Sequence, residues 1–249
     1  MNKIYELLKK EASLRNSITE LSDAKPDPLL VASKYKDEYI ALICALFAYG
    51  NAKLIVKFLN SFDFSLLNAQ EETIGKELIN HYYRFQSNQD VIEFFKTIKY
   101  LKQNSSIESK FYEGYQKNEN VMEGLTSIIS FIYDLNPYRS RGYEFLIGKI
   151  PTSKNNSPYK RWHMYLRWMV RFDNLDLGLW KSVNTKDLQV PLDTHTFNVG
   201  QKLGLIKRKS YDFKAVLELT ESFRKIDIND PVKFDFALYR LGQEKIQIE

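Results

Sequence analysis

The feature that most limits the fold of this chain is the spacing of its apolar residues. They recur mainly every three to four residues, the period of helices that bury one face. Alternating runs long enough for strands are few, and no internal repeat or low-complexity tract interrupts the pattern. The spacing therefore predicts an all-α protein in one compact unit over residues 1–249. The predicted helices cover 4–21, 35–47, 53–62, 74–85, 91–101, 106–116, 120–133, 143–147, 158–172, 194–203, 213–224 and 232–241.

Composition excludes several classes of protein. Cys44 is the single cysteine, so the chain can form no internal disulfide and no cysteine-ligated zinc or iron–sulfur centre. The charged start lacks the apolar core of a secretion signal, and no apolar run is long enough to span a bilayer. Lys and Arg number 36 against 31 Asp and Glu, a net charge of +5 that is compatible with a polyanionic partner without proving one. We expect a cytoplasmic protein without membrane contact.

The helix predicted after Ser157 carries the first candidate for chemistry, Lys160. Ser157 is a favourable N-cap and Pro158 a favourable first helical residue, and the helix should continue to about Phe172. Most lysines are solvated surface residues, but Lys160 lies in the first turn, where the helix dipole disfavours a cation. A neutral amine is the form that makes a Schiff base. The helical period places Trp162, Tyr165, Leu166, Met169 and Phe172 toward the core, and Lys160, Met164, Arg167 and Arg171 along a separate stripe with a basic edge.

The loop before this helix, residues 151–157, is polar and contains one lysine and two asparagines. Backbone amides at a helix start, flanked by such side chains, suit a phosphate group. A plain polar loop explains the same residues equally well. The candidates for phosphate contact are Lys154, Asn155, Asn156, Ser157 and, just inside the helix, Arg161.

The second candidate for chemistry is Asp193, which is placed as the N-cap of a helix that Gly204 ends. Capping alone would explain an aspartate there. The segment around it reads VPLDTHTFNVGQKLGL and closely resembles the VDTHVxRVxxRLGL segment of the helix-hairpin-helix DNA glycosylases. A later segment, NDPVKFDFALYRLGQ, is similar to the closing helix of that superfamily. The resemblance extends over residues 35–243, with its sharp motifs in the last third.

The chain departs from the usual motifs of that superfamily in two places, and these departures bear on which branch it resembles. IPTSKNNSPYKRW stands where the hairpin LPGVGxKTA is usual, and the four-cysteine cluster of the endonuclease III branch is absent. The separation of 33 positions from Lys160 to Asp193 is similar to the spacing in the archaeal 8-oxoguanine glycosylases, which have an atypical hairpin. The chain thus looks like a bacterial relative of that branch. This implies a two-lobed glycosylase architecture with a central cleft, with lobes 37–140 and 1–36 plus 141–249.

The resemblance also implies an activity. Lys160 matches the catalytic lysine and Asp193 the catalytic aspartate of a DNA glycosylase with abasic-site lyase activity that excises 8-oxoguanine. Such enzymes act on a base that has left the duplex stack. The expected partner is double-stranded DNA with a damaged base, the expected location is on the nucleoid, and the expected state is a monomer. No cofactor is expected, and the three histidines do not have the spacing of a zinc site.

Four further residues are expected to contact the extruded base. Met164, one turn after the lysine, falls where the archaeal branch places a residue against the lesion. Asp235 and Tyr239, spaced i, i+4, would supply a hydrogen bond and a stacking ring, while Asn51 is a weaker candidate because the alignment is variable there. A surface carboxylate and a core ring are the plain alternatives for Asp235 and Tyr239.

Three other functions stay open from the sequence. A monofunctional alkylpurine glycosylase would need Asp193 alone, with Lys160 on a phosphate. A non-catalytic helix-hairpin-helix module would bind duplex DNA in a salt-dependent manner and tolerate loss of Asp193. A helical scaffold for protein interactions would bind no DNA. An acid and a lysine that both lie at helix starts favour an enzyme.

Overall fold

The computed structural model of the protein describes residues 2–22, 24–154 and 156–243. In these ranges it has thirteen α-helices, four 3-10 helices and no strands beyond three isolated bridges, so the predicted all-α class is confirmed. The α-helices are α1 Asn2–Arg15, α2 Leu29–Tyr35, α3 Glu38–Leu46, α4 Ala52–Leu59, α5 Glu71–Glu77, α6 Asn88–Asn104, α7 Ile107–Tyr115, α8 Val121–Leu135, α9 Arg141–Ile147, α10 Lys160–Val170, α11 Thr194–Lys202, α12 Phe213–Arg224 and α13 Asp235–Gln243. The 3-10 helices are Ile18–Glu20, Phe64–Asn68, Thr185–Asp187 and Pro231–Phe234.

Short polar side chains fix where most of these helices begin. The Asp37 carboxylate accepts hydrogen bonds from the first free N–H groups of α3, at 2.8 and 2.9 Å. Ser87 and Asp90 form a reciprocal capping box at the start of α6. Caps of this kind contribute about 0.5–2 kcal/mol each, which is enough to set a boundary that apolar spacing alone leaves open. Other side chains that cap the start of an α-helix are Asn51, Ser106, Asn120, Ser140, Asp193 and Asp212.

The chain divides into two compact units, one formed by residues 26–151 and the other by 1–25 together with 152–249. The lobes expected from the resemblance had boundaries at 37 and 140 instead. The difference has a local cause on each side. Helix α2 packs on α3 and α4, and helix α9 packs on α6, so both flanking segments join the 26–151 unit.

The 26–151 unit has an interior of aromatic rings around helices α3 and α6. The rings of Phe47 and Phe94 meet edge to face with centroids 5.6 Å apart, and Phe95 is fully buried beside them. Helices α7 and α8 form the closest helix pair of the unit. A Cβ atom on Gly124 would lie 2.6 Å from the ring of Phe111, so this approach requires glycine.

In the unit of residues 1–25 and 152–249, helices α1 and α11 both pack on α13. Trp168, Phe223 and Phe234 are fully buried in its core, and the last two have ring centroids 5.5 Å apart. Helix α10 crosses this core and carries both large apolar side chains and arginines. The start of α10 and the start of α11 therefore belong to one unit.

Several predicted boundaries were wrong for reasons of backbone geometry. Tyr35 ends α2 instead of opening the next helix, because Lys36 adopts a left-handed conformation with φ 48°. Helix α5 ends at Glu77, well before the predicted residue 85, and a tight turn occupies residues 83–86. Phe172, predicted to face the core, is 81% exposed because α10 ends two residues earlier. Within the described ranges, the helices are too short or too polar to cross a membrane.

Candidate active site

The structure brings together Lys160 and Asp193, which are 33 positions apart in the sequence. The Nζ atom of Lys160 lies 3.4 Å from Oδ2 of Asp193. Their side chains are 34% and 21% exposed, so the pair lies at the edge of the unit, partly shielded from water and still accessible. An amine and a carboxylate in such a setting can exchange a proton and act on the same ligand.

Lys160 is the first residue of α10, although not through the cap that was predicted. Ser157 and Pro158 lie outside the helix, and Tyr159 is the N-cap, with φ 45° and no side-chain capping bond. The next turns anchor the helix deeply, since Trp162, Tyr165 and Met169 are at most 3% exposed. The apolar face predicted for this helix is thus correct up to Met169, and it holds the lysine at a rigid helix start.

Asp193 is the N-cap of α11, as predicted, and its two carboxylate oxygens have different partners. Oδ1 accepts from the N–H of Thr196 at 2.8 Å and from the Thr196 hydroxyl at 2.9 Å, while Oδ2 faces Lys160. The Asp193 N–H donates back to Thr196 Oγ1 at 3.0 Å, which completes a capping box. Burial favours the protonated carboxyl, but Lys160 and the Thr196 bonds outweigh burial, so the pKa of Asp193 is lowered.

The two arginines of the stripe predicted on α10 are buried. Arg167 and Arg171 are 5% and 8% exposed and are surrounded by carboxylates. Arg167 donates through Nη1 to Oδ2 of Asp235 at 2.6 Å and through Nε to Oδ1 of Asp176 at 3.3 Å. Arg171 pairs with Asp176 and also, at 3.0 Å, with Asp230. These arginines therefore pair with carboxylates inside the unit and do not form a solvent-exposed basic edge.

The ion network reaches the Lys160–Asp193 pair through Asp235. Burial raises the pKa of Asp235 to about 6, the Arg167 guanidinium opposes the rise, and the negative charge of Asp193 adds to it. Burial likewise raises the pKa of Asp176, against the two arginines. The protonation states of Asp193 and Asp235 are therefore coupled.

The other residues expected near the base lie on α10 and α13. Met164 is half-buried one turn after Lys160. Tyr239 is half-buried, with its ring edge-on to His195 at 6.1 Å between centroids and within 5.7 Å of the Arg240 guanidinium. Asp235 is 8% exposed and is engaged by Arg167. The contacts of these residues with a base remain predictions.

The loop before α10 is closed by its own side chains. Asn156 accepts from the Thr152 N–H at 2.9 Å and donates back to the Thr152 carbonyl at 2.6 Å. Its carbonyl accepts from the Phe213 N–H at 3.1 Å, which ties the loop to α12. Lys154 and Ser157 are exposed and Arg161 is half-buried, whereas Asn155 lies outside the described residues.

Asn51 belongs to the other unit and caps α4 there. Its side chain accepts from the N–H groups of Lys53 and Leu54 at 3.0 and 3.3 Å. This local role accounts for an asparagine at the position.

Sequence reasoning missed one hydrogen-bond partner of Asp193 and one neighbour that feels its charge. Thr196 lies three residues after the cap, and the D-x-x-T spacing is the signal that could have revealed it. Tyr211 donates its hydroxyl to the Leu192 carbonyl at 2.9 Å, and burial followed by the charge of Asp193 raises its pKa to about 12. No local pattern announces Tyr211, because it approaches Asp193 from another loop.

A cavity of about 210 Å³ lies in the same unit, on the side of the ion network formed by α1 and α13. Its walls include Lys9, Arg171, Asp176 and Phe236, and Arg167 is shared between the cavity and the network. Neither Lys160 nor Asp193 lines it. The pair is therefore not at the mouth of this cavity.

The fold and the site define an all-α protein with a lysine and an aspartate paired at the starts of two helices. The sequence family described as "Protein of unknown function (DUF2400)" matches residues 27–244, so the chain belongs to this family. Neither the curated proteins nor the solved structures contained a match.

Proposed function

We propose that this protein is a DNA glycosylase with abasic-site lyase activity that excises 8-oxoguanine. The observation that carries the proposal is the 3.4 Å approach of Lys160 Nζ to Asp193 Oδ2. Those two residues match the catalytic pair of the helix-hairpin-helix glycosylases in the sequence. The lowered pKa of Asp193 also keeps its carboxyl ionised, so a negative charge lies next to the amine.

The reaction needs a neutral amine and a stabilised sugar cation. As the damaged base departs with the electrons of its bond to C1′, the carboxylate of Asp193 stabilises positive charge on the sugar. The lone pair of Lys160 Nζ then bonds to C1′, and the amine proton passes to Asp193 or to water. The C1′–O4′ bond of the sugar ring then breaks, O4′ takes up a proton, and a protonated Schiff base between Lys160 and C1′ remains.

The Schiff base permits cleavage of the strand. Loss of a proton from C2′ sends its electrons toward the imine, and the C3′–O bond breaks with the phosphate as leaving group. Water then hydrolyses the imine and regenerates Lys160. In this scheme Met164 and Tyr239 contact the extruded purine, and Asp235 contributes a hydrogen bond through a carboxyl that titrates near pH 6.

Borohydride trapping tests the proposal. On a duplex containing 8-oxoguanine, the wild-type protein should form a covalent adduct after reduction, and Lys160→Gln should lose it. Lys154→Gln is the matched control, because Lys154 is an exposed lysine of the preceding loop and should leave trapping intact. An adduct that persists in Lys160→Gln, or that disappears only in Lys154→Gln, would refute Lys160 as the nucleophile.

A monofunctional alkylpurine glycosylase is the second candidate, and the ion pair itself favours it. A lysine held as an ammonium against Asp193 would bind a phosphate and leave the aspartate to act alone. Product analysis without heat or alkali separates the two functions. An intact abasic strand supports the monofunctional enzyme, and a nicked strand supports the lyase.

A further inference from the structure

A tight turn in the 26–151 unit holds an arginine and a phenylalanine at an exposed tip. Tyr83 and Gln86 exchange both of their backbone hydrogen bonds, at 2.9 and 3.3 Å, and leave Arg84 and Phe85 between them. Arg84 has φ 57°, a left-handed conformation that costs a non-glycine residue on the order of 1 kcal/mol or more. Strain of this kind persists only where the surroundings impose it, so the turn is held in place by its neighbours.

Buried polar groups supply that constraint. Gln86 is 2% exposed, donates to the Gly142 carbonyl at 3.2 Å and accepts from the Tyr49 hydroxyl. The Tyr83 hydroxyl donates to the Tyr49 carbonyl at 2.8 Å. Both ends of the turn are thus bonded to Tyr49, and Gln86 is bonded to Gly142 as well, so the turn is held at both ends.

Three rings form a continuous surface at this tip, which we call the ring surface: Tyr49, Phe85 and Phe145. The centroids of Phe85 and Phe145 are 4.5 Å apart, and those of Tyr49 and Phe145 are 4.9 Å apart. Phe85 is 51% exposed and Phe145 is 40% exposed. Phe85 and Phe145 thus form a joined, exposed apolar area, and joined apolar areas on a surface are candidates for binding sites.

Positive charge flanks the ring surface. The Arg84 guanidinium lies 5.7 Å from the centroid of the Tyr49 ring. Gly50 leaves room for it, since a Cβ atom there would approach Arg84 Nη1 to 2.3 Å. Arg141 is exposed on α9 one helical turn before Phe145, so both side chains lie on the same face of that helix. Glu144 is the exposed acid nearest to Phe145 in sequence, but adjacent helical residues do not share a face.

We propose that the ring surface binds unpaired bases of DNA by stacking, while Arg84 and Arg141 contact the adjoining phosphates. Exposed rings between cations are the combination that single-stranded nucleic acid recognises, because every base has a flat face and every linkage a negative charge. The proposed function supplies the polymer, since a glycosylase must open its duplex. The binding step itself involves neither Lys160 nor Asp193.

Fluorescence anisotropy with a labelled single-stranded thymidine oligonucleotide at fixed salt tests this surface. The full-length Phe85→Ala protein should bind roughly 5- to 100-fold more weakly, the range expected for one lost stack, while Phe85→Trp should bind like wild type. Arg84→Gly suits the left-handed backbone of the turn, so it should preserve the fold and reduce the salt dependence of binding. Tyr112→Ala, which removes an exposed ring on α7, is the matched control and should change nothing.

Four outcomes would overturn the proposal: no affinity of the wild type for the oligonucleotide, equal affinity of Phe85→Ala, equal weakening in Tyr112→Ala, or a tenfold preference for the uridine oligoribonucleotide. The enzyme and the ring surface can fail separately. A wild type that cannot be trapped but binds in a Phe85-dependent manner would refute the enzyme and leave the ring surface standing.

Discussion

The interiors of the two units differ in how much charge they bury beside their apolar side chains. The 26–151 unit buries rings against rings, as Phe47, Phe94 and Phe95 illustrate. The other unit buries rings as well, but it adds an ion network, with Arg167 and Asp176 inside its core. Ring packing stabilises a fold by removing apolar area from water, whereas a buried ion pair loses much of its attraction to desolvation. The difference teaches that the second unit tolerates a costly interior beside its lysine–aspartate pair, and perturbed carboxylates in such a setting are typical of functional sites.

The largest expected effect comes from breaking the ion network. Arg167→Leu should lower the free energy of unfolding by about 3–5 kcal/mol, because Asp235 stays buried without its cation and Asp176 keeps only Arg171. Phe94→Ala in the other unit should have a similar effect, about 3–5 kcal/mol, through a cavity. Urea unfolding at several pH values distinguishes them. The Arg167→Leu deficit should shrink as acid protonates the two aspartates, and the Phe94→Ala deficit should not. Equal pH dependence in both variants would remove the contrast between the interiors.

The next largest expected effect is the pH-dependent contribution of Asp235 to the free energy of unfolding. Its folded pKa of about 6 lies above the ordinary carboxyl value, so the native state holds a proton that the unfolded chain releases. The contribution of this group to stability is therefore complete below about pH 4 and falls as pH rises toward 6, by roughly 2–3 kcal/mol in all. In Asp235→Asn this pH dependence should vanish, so wild type minus variant should decrease between pH 4.5 and pH 7. A difference that is flat across this window would show that Arg167 keeps Asp235 ionised.

The smallest expected effect on stability comes from Asp193, and it separates the capping role of this residue from a catalytic one. Asp193→Ala should cost about 1 kcal/mol because α11 loses its cap, whereas Asp193→Asn keeps a capping oxygen and should cost less. Because the pKa of Asp193 is lowered, its contribution to stability is present above the ordinary carboxyl pKa and is lost as pH falls through the folded value. Both variants should lose turnover on a damaged duplex. Normal turnover in Asp193→Asn would show that Asp193 caps α11 and takes no part in catalysis.

The helical class and the start of α11 could be predicted because both depend on neighbours in the sequence. Asp193, Thr196 and Gly204 carry their cap and stop signals within a dozen positions. The start of α10 was misplaced because Tyr159 adopts φ 45°, a conformation that no local pattern of this residue type indicates. The burial of Arg167 and Arg171 was also beyond local reasoning, since their partners include carboxylates up to 68 positions away.

By itself, the sequence determined that this chain folds into helices, that Asp193 caps α11, and which two residues to consider as an acid and an amine. Those properties follow from spacing, turn chemistry and residue type, which act over a few positions. Only the tertiary structure decided that Lys160 reaches Asp193, that the arginines of α10 turn inward, and that Arg84 and Phe85 stand on a turn held at both ends. Each of these depends on groups remote in the chain meeting at hydrogen-bond distance, and that proximity is set by the packing of whole helices.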